Sequence, residues 1–519
     1  MPANPRILWA DDEIDLLRPH ILFLESKGYD VTSATNGPDA VEQVRQGHFE
    51  VVLLDEQMPG MGGLETLAEI KRIAPDVPVV MVTKSEEEHL MEEALGGQIS
   101  DYLTKPVNPS QILLTCKRLL ERSRLRSEKL SQTYLQSFGE ISRALMDPLS
   151  PDEWVDLYLK LTRYDMDLEG DENVRQVLAD QFREANRTFG RYIEEHYRDW
   201  IAADAPDASR PVLSHDVVPR FVLPELARGK PVVFFVIDCM RLDQWLEFEK
   251  LLYPLFDLQK AYHYAILPTA TPYARNAIFS GLLPRDIARR YPRVWSQGED
   301  DEHSRNRHEE AFLQDLLGRK HRDVRLRYEK LIGTQDGRAF AQAVHELPRH
   351  DLSAIVVNFV DILAHSRSDS DVLKEIAPDE RAYRALTRTW FEHSWLYQAF
   401  QDLARTDCTV IVTTDHGAIR SLHATKVIGD RETSTALRYK YGRNLKCDER
   451  HAILVRDPLE FGLPRNNSST NYIIAKEDYY FVYPTNYHHY LNLYKDTMQH
   501  GGASMEEMIL PVVTLRPKG

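Results

Sequence analysis

The stretch CTVIVTTDHG, Cys408 to Gly417, is an apolar strand that runs into a carboxylate, an imidazole and a glycine. A continuous apolar run of this length, without alternation, fits a strand buried on both faces of a parallel sheet. Two further stretches share the form. PVVFFVID (Pro231 to Asp238) ends in Asp238, and SAIVVNFVD (Ser353 to Asp361) ends in Asp361, with His365 four residues later. Helix-length segments separate the three, so this part of the chain reads as α/β. In such sheets ligands gather outside the carboxyl ends of the strands, where these acids and histidines are expected to meet.

The same alternation opens the chain. RILWA, DVTSA, VVLLD, VPVVMVT and DYLT are five short apolar runs joined by helix-length connections, the pattern of a doubly wound five-stranded parallel domain. From Leu120 to about Ala203 glycine is scarce and helical signals dominate. There SPDEW supplies a capping box, with Ser150 as N-cap, Pro151 at the first helical position and Glu153 at the third. Trp154, Leu157 and Leu161 follow on one helical face. The Pro- and Ser-containing stretch Ala205–Arg220 reads as a linker. The expected organisation is a doubly wound domain over 1–122, a helical segment over 123–205 and a second α/β domain over 206–519.

Composition narrows the function. The formal charge of −16 argues against a general duplex-DNA or membrane-surface binder, which carries a basic excess. The four scattered cysteines contain no CxxC pair, consistent with a reducing compartment. The first residues, MPANPRILWADDE, lack the pattern of a signal peptide, and the run VVFFVI is too short to span a bilayer. A cytoplasmic protein without membrane insertion is expected.

In the N-terminal domain Asp11 and Asp12 follow strand one, Asp55 ends strand three, Thr83 ends strand four and Lys105 follows strand five. Crowded carboxylates repel one another and call for a hard, oxygen-liganded cation such as Mg²⁺. With that charge neutralised, Asp55 can act as a nucleophile towards a phosphoryl group and Thr83 can bind the product. ADDE, LLDEQMPGMGG, VTKS and YLTKP make this domain resemble the receiver domain of two-component response regulators. The resemblance implies Mg²⁺ held by Asp11, Asp12, Asp55 and the main-chain carbonyl of Gln57. It also implies phosphorylation of Asp55 by a sensor histidine kinase, and signalling through Thr83, Tyr102 and Lys105.

In the C-terminal domain Asp238, Asp361, His365, Asp415, His416 and, in MQHGGASMEEMILP, His500 combine carboxylate with imidazole, the mixture that suits Zn²⁺. Six such residues suffice for two sites of three protein ligands, each with an open position. LPTATPYARNAIFSGLLP supplies Thr271 at the start of a helix that ends at Gly281. A threonine hydroxyl at a helix N-terminus beside zinc can serve as a nucleophile, and phosphate is favoured there too. Two metals about 4 Å apart stabilise the attacking and leaving oxygens of an in-line displacement.

VIDCMRLDQW, PTATPYAR, VDILAH, TTDHG and QHGGASMEEMILP make this domain resemble the alkaline phosphatase superfamily, and within it the PglZ branch. The resemblance implies one zinc on Asp361, His365 and His500, and another on Asp238, Asp415 and His416, with Thr271 the catalytic residue. Diesterase relatives commonly carry an asparagine about twenty residues after the nucleophile. ARRYPRVW has none, and Arg275, Asn276 or Lys426 are the candidates to replace it at the phosphate. TPYAR lacks the Cys or Ser of sulfatase motifs. The three-part arrangement as a whole resembles response regulators associated with type IX secretion.

Two basic clusters, RKHRDVRLR (Arg319 to Arg327) and RYKYGRNLK (Arg438 to Lys446), precede a tyrosine-rich run from Tyr472 to Tyr494. Basic groups track a phosphate backbone and aromatic faces stack bases, so nucleotide or oligonucleotide diesters are the expected substrates. The competing reading has the arginines solvated and the tyrosines in a core edge. The expected function is a zinc-dependent phosphodiesterase controlled by phosphorylation of Asp55, which drives homodimerisation. The alternative is an adaptor whose zinc-stabilised PglZ domain binds a sigma factor or a secretion-system component. No helix-turn-helix follows the receiver, which disfavours a DNA-binding transcription factor.

Overall fold

The structure, a computed structural model, describes residues 4–83, 99–168, 172–202, 210–292, 307–320, 323–429 and 436–518 apart from 466, 468 and 486. The connection between the fourth and fifth strands (84–98), the start of the linker (205–209) and the end of ARRYPRVW (293–295) lie outside the described residues. The chain divides into two compact units, Met1–Leu135 and Gln136–Gly519.

The first unit contains β1 (Arg6–Ala10), β2 (Asp30–Ala34), β3 (Val51–Asp55), β4 (Val79–Thr83) and β5 (Asp101–Thr104). They form one parallel sheet in the order β2-β1-β3-β4-β5. Strand order reverses between β1 and β3, the switch point where a ligand site is expected. Side-chain alternation divides β1 and β3 between two cores. Leu8, Val52 and Leu54 pack on one face, and Ile7, Trp9, Val51 and Leu53 on the other. The helix beginning at Pro109 ends only at Ala144, past the expected boundary at 122. No glycine or proline interrupts it before Gly139, so nothing local stops helix propagation there.

The second unit contains β6 (Val232–Ile237), β7 (Phe256–Tyr264), β8 (Leu326–Leu331), β9 (Leu352–Val357), β10 (Thr409–Thr413), β11 (Ile419–Ser421) and β12 (His423–Lys426). Further on come β13 (Tyr439–Arg443), β14 (Ala452–Val455), β15 (Thr470–Ala475), β16 (Tyr479–Val482), β17 (Thr497–Gln499) and β18 (Ile509–Pro517). Its main sheet is six-stranded in the order β7-β18-β10-β6-β9-β8. β10, β6, β9 and β8 run parallel, and β18 is antiparallel to both of its neighbours. Both faces are buried. Val233, Phe235 and Ile237 of β6 meet Trp245, Phe248 and Phe400, while Val232, Phe234 and Val236 meet Ile278, Phe279 and Leu313. This two-sided burial explains the uninterrupted apolar runs.

The middle helices belong to this second unit. Ser150 caps the helix Pro151–Asp167 in the expected capping box, its backbone N–H donating to Glu153 Oε2 at 2.8 Å. Trp154, Leu157 and Leu161 are buried. The Tyr264 hydroxyl donates to the Pro151 carbonyl at 2.7 Å. From the helix Glu172–Ala202, Asn186 Oδ1 accepts the Met505 N–H at 2.9 Å and the Tyr197 hydroxyl accepts the Leu267 N–H at 2.8 Å. Tyr197→Phe leaves that buried Leu267 N–H without its acceptor. The loss is expected to cost about 1–3 kcal/mol and to appear as a lower midpoint in denaturant unfolding of the full chain. An unchanged midpoint would mean that water or a backbone shift replaces the bond.

Candidate active site

Two segments of the second unit meet at the carboxyl ends of β6 and β10. Asp238 follows β6 directly. Asp415 and His416 follow β10 by two and three residues, and all three are fully or almost fully buried. Gly417 lets this turn pass against the main chain of 506–507, since a Cβ there would lie 1.9 Å from the Glu506 carbonyl oxygen. Asp415 is anchored by the turn's own backbone. Its Oδ1 accepts the N–H of His416 at 3.0 Å and that of Cys239 at 3.3 Å.

Asp361 departs from its expected place. β9 ends at Val357, and Asp361 lies in the first turn of the helix Phe359–Asp369. The helix accounts for His365, because residues four apart share a helical face; Nε2 of His365 is 3.4 Å from Asp361 Oδ1. His500 arrives from just beyond β17, with Nε2 3.9 Å from the same oxygen. The ligand atoms of Asp361, His365 and His500 lie within 4.8 Å of one another, and so do those of Asp238, Asp415 and His416. The two groups adjoin, for the His416 and His500 rings stack with centroids 4.3 Å apart.

Electrostatics call for cations at both groups. Burial pushes the Asp238 and Asp415 carboxyls above the usual carboxylate range, with Asp361 adding to the rise at Asp238 and Asp238 to that at Asp415. Burial also works to raise Asp361, but the His365 imidazole beside it and those of His500 and His416 hold it below that range. Burial pushes His416 well down, and His500 adds to the effect. Asp361 Oδ1 and Asp415 Oδ2 are buried without a hydrogen-bond partner, the condition expected of oxygens shaped to meet a metal. Two mixed nitrogen–oxygen sets with open positions fit zinc.

Thr271 stands at the first position of the helix Thr271–Ser280, which closes at Gly281 in the left-handed conformation. Its Oγ1 lies 3.0 Å from His416 Nε2 and 3.5 Å from Asp238 Oδ1. Thr269 fixes the approach of this loop, accepting the Gly501 N–H at 3.1 Å and donating to the Gly502 carbonyl at 2.7 Å. The loops bearing Thr271 and His500 are therefore tied to each other.

The candidates for the phosphate fare differently. Arg275 is buried, with its guanidinium bound to Asp238 Oδ2 and Glu309 Oε1 at 2.6 Å each. The Asn276 amide donates to the Pro272 carbonyl at 3.0 Å. Lys426, in the β12–β16 sheet, places its ammonium 5.0 Å from the Tyr487 ring centroid.

The basic clusters read differently in three dimensions. Arg438 is buried and paired with Glu507 at 2.5 Å, and Lys440 is buried 5.2 Å from the Tyr483 ring centroid. Arg319, Arg325 and Arg327 each pair with a carboxylate, those of Asp315, Asp351 and Glu329. Tyr472 and Tyr480 are core residues, whereas Tyr483, Tyr487, Tyr490 and Tyr494 are half-buried. Among the described members of the two clusters, these five are paired or buried, while Lys320, Arg443 and Lys446 are exposed.

In the first unit Asp11, Asp12 and Asp55 bring ligand atoms within 4.8 Å of one another. Lys105 Nζ reaches Asp11 Oδ2 and Asp55 Oδ1 at 2.9 Å each. Burial raises the Asp55 carboxyl, against the hydrogen bond from Lys105. Thr83 donates to Glu56 Oε2 at 2.7 Å. Gln57 is exposed two residues beyond Asp55, and Tyr102 is half-buried on β5. The oxygen-only acid set fits Mg²⁺.

Three family models match the chain. The response regulator receiver domain matches residues 7–117, the PorX response regulator linker domain 124–201, and the BREX system PglZ alkaline phosphatase-like domain 217–515. Transcriptional regulatory protein ZraR of Klebsiella oxytoca is 35% identical over 149 residues, 28% of this chain and 34% of that protein. The CpxR homolog of Haemophilus influenzae is 34% identical over 139 residues, 26% of this chain and 60% of that protein. The chain thus spans about a third of the length of the first and 60% of the second. A CheY-like receiver domain protein from Methanospirillum hungatei JF-1 is 28% identical, covering 23% of this chain and 97% of that one, with a TM-score of 0.22. With receiver, linker and effector in this order, the chain belongs to the PglZ alkaline phosphatase-like family, in the arrangement of a PorX-like response regulator.

Proposed function

We propose that the chain is a zinc-dependent phosphodiesterase controlled by phosphorylation of Asp55 and acting in the regulation of type IX secretion. The observation that carries the catalytic reading is the place of Thr271. Its hydroxyl opens a helix 3.0 Å from His416 and 3.5 Å from Asp238, beside one of two adjoining groups of metal-ligand type. Zinc held by Asp238, Asp415 and His416, and by Asp361, His365 and His500, would supply Lewis-acid stabilisation of the developing charge. Thr271 Oγ loses its proton and attacks phosphorus. The bond to the departing oxygen breaks, and that oxygen leaves as an alcohol after taking up a proton. Water then cleaves the phosphothreonine, releasing a phosphomonoester and restoring the hydroxyl. The positive end of the helix dipole at Thr271 favours the anion while it is held; Pro272 has no N–H, and those of Tyr273 and Ala274 donate to the Ala270 carbonyl.

A diester suits the site better than a monoester. Arg275, the nearest guanidinium of the Thr271 helix, is already committed to Asp238 and Glu309, which leaves a single negative charge easier to accommodate than a double one. The half-buried tyrosines favour a nucleotide, while the paired arginines favour a short ligand over a long polyanion. The receiver implies a sensor kinase partner, and Mg²⁺ on its acid cluster would assist phosphoryl transfer to Asp55. The resulting phosphate offers Thr83 a new partner in place of Glu56, and a shift at Tyr102 would alter the output face.

Elemental analysis of the purified protein is expected to find about two zinc ions per chain, and fewer in His416→Ala and in Asp361→Ala; equal stoichiometry in all three proteins would refute the ligand assignment.

Thr271→Ala is expected to keep its zinc and lose nearly all diester turnover, and the parent is expected to show higher kcat/KM for diesters than for monoesters. Parental turnover in the alanine variant would remove Thr271 as nucleophile, and a strong monoester preference would indicate a phosphatase.

Beryllofluoride with Mg²⁺ is expected to convert the parent, but not Asp55→Ala, into a homodimer by light scattering; one mass under all conditions would place the switch elsewhere.

A further inference from the structure

Arg275 lies one helical turn after Thr271, on the same face of the same helix, and is only 1% exposed. A buried guanidinium needs partners for its fork, and here both edges are taken. Nη1 donates to Asp238 Oδ2 at 2.6 Å and lies 3.7 Å from Asp415 Oδ2, while Nε donates to Glu309 Oε1 at 2.6 Å. Glu309 is itself 1% exposed and its Oε2 accepts from the Tyr328 hydroxyl at 2.7 Å and from Lys330 at 3.4 Å. The chain thus places a fully buried Glu–Arg–Asp series directly behind the Asp238, Asp415 and His416 group.

The two oxygens of Asp238 are divided by this arrangement. Oδ2 faces Arg275. Oδ1 faces the site, 3.7 Å from His416 Nε2 and 3.5 Å from Thr271 Oγ1. A carboxylate held on one oxygen presents the other in a fixed direction, and groups of this kind behind a ligand commonly set metal affinity. The charge matters as well. Asp238 and Asp415 are buried side by side, and a guanidinium close to both reduces the repulsion that a divalent ion must otherwise overcome alone.

We propose that Arg275, oriented by Glu309, is a positioning residue that fixes the metal-facing oxygen of Asp238 and prepares the Asp238–Asp415–His416 site for zinc, and is not a ligand of the substrate phosphate. This rests on the metal-dependent reading given above, and it reassigns a residue that the sequence offered as a phosphate-binding candidate. Lysine cannot replace arginine here, because a single ammonium cannot occupy both edges of the fork at once.

The test compares the full-length parent with Arg275→Lys and Glu309→Gln. Zinc affinity is measured by competition with a chromophoric chelator, and folding by circular dichroism. Arg275→Lys is expected to weaken one of the two zinc ions about 10–100-fold and leave the other unchanged. Glu309→Gln, which keeps the side chain's shape and one acceptor oxygen for Arg275 while removing the charge, is expected to weaken the same ion by less. Arg275→Ala is expected to regain zinc affinity on addition of methylguanidinium. Parental zinc affinity in both Arg275→Lys and Glu309→Gln would overturn the proposal. So would unchanged zinc with only a raised KM for a diester, which is the signature of a phosphate ligand. A parent that binds no zinc would overturn the metal reading and this proposal together, whereas a parent that binds zinc without cleaving diesters would remove only the proposed activity. If Arg275→Lys fails to fold, the affinity of Glu309→Gln decides.

Discussion

Buried carboxylates of like charge, set side by side at the ends of parallel strands, are the constraint on which both units are built. A parallel sheet delivers residues from several strands to one edge, and in this chain the residues delivered are acids. Asp11 and Asp55 meet there in the first unit, and Asp238 and Asp415 in the second. Each pair calls for a neighbouring cation. In the first unit Lys105 supplies one, with Nζ at 2.9 Å from Asp11 and from Asp55. In the second Arg275 supplies it, but from behind and out of reach of solvent. The difference suits their chemistry. A flexible lysine at the rim can yield to an incoming phosphoryl group, whereas a buried, doubly held arginine can only maintain geometry.

The remaining ligands separate the two sites by softness. The receiver offers oxygen alone, and the effector adds His365, His416 and His500. Imidazole is a poor partner for Mg²⁺, which prefers oxygen and keeps much of its water, and a good one for zinc. The two donor sets would therefore select different ions from a shared pool, without relying on affinity alone.

Strand ends were the legible part of the sequence. A buried strand advertises itself by its apolar run, and a polar residue at its end then needs a reason to be there. That logic located Asp238, Asp415, His416, Asp55 and Thr83 on the correct edges. It failed for Asp361, where Phe359 and Val360 resume the apolar run after Asn358 while the backbone has already turned helical. It missed the inserted strand β18, whose antiparallel place between β10 and β7 is set by partners far away in sequence. It also misread cations. Arg438 looks like its neighbours in RYKYGRNLK, yet its carboxylate partner Glu507 is 69 residues on, and Arg275 is separated from Glu309 by 34. Periodicity records which residues are buried with their own element. It carries no record of which distant charge neutralises a given arginine.

The middle helices present the same limit in another form. Their capping box and apolar face were readable, but not their destination. The helix Glu172–Ala202 binds two loops of the candidate active site, through Asn186 at Met505 and Glu506 and through Tyr197 at Leu267. The first contact adjoins the carbonyl of Glu506, against which Gly417 packs beside His416. The second lies four residues before Thr271. These bonds are few and directional, and the loops they hold are those that lead to Thr271 and that pack beside His416. A helical segment attached this way is better regarded as part of the catalytic framework than as a spacer. The contacts of this helix with Met505, Glu506 and Leu267 therefore tie it to the loops beside Thr271 and His416.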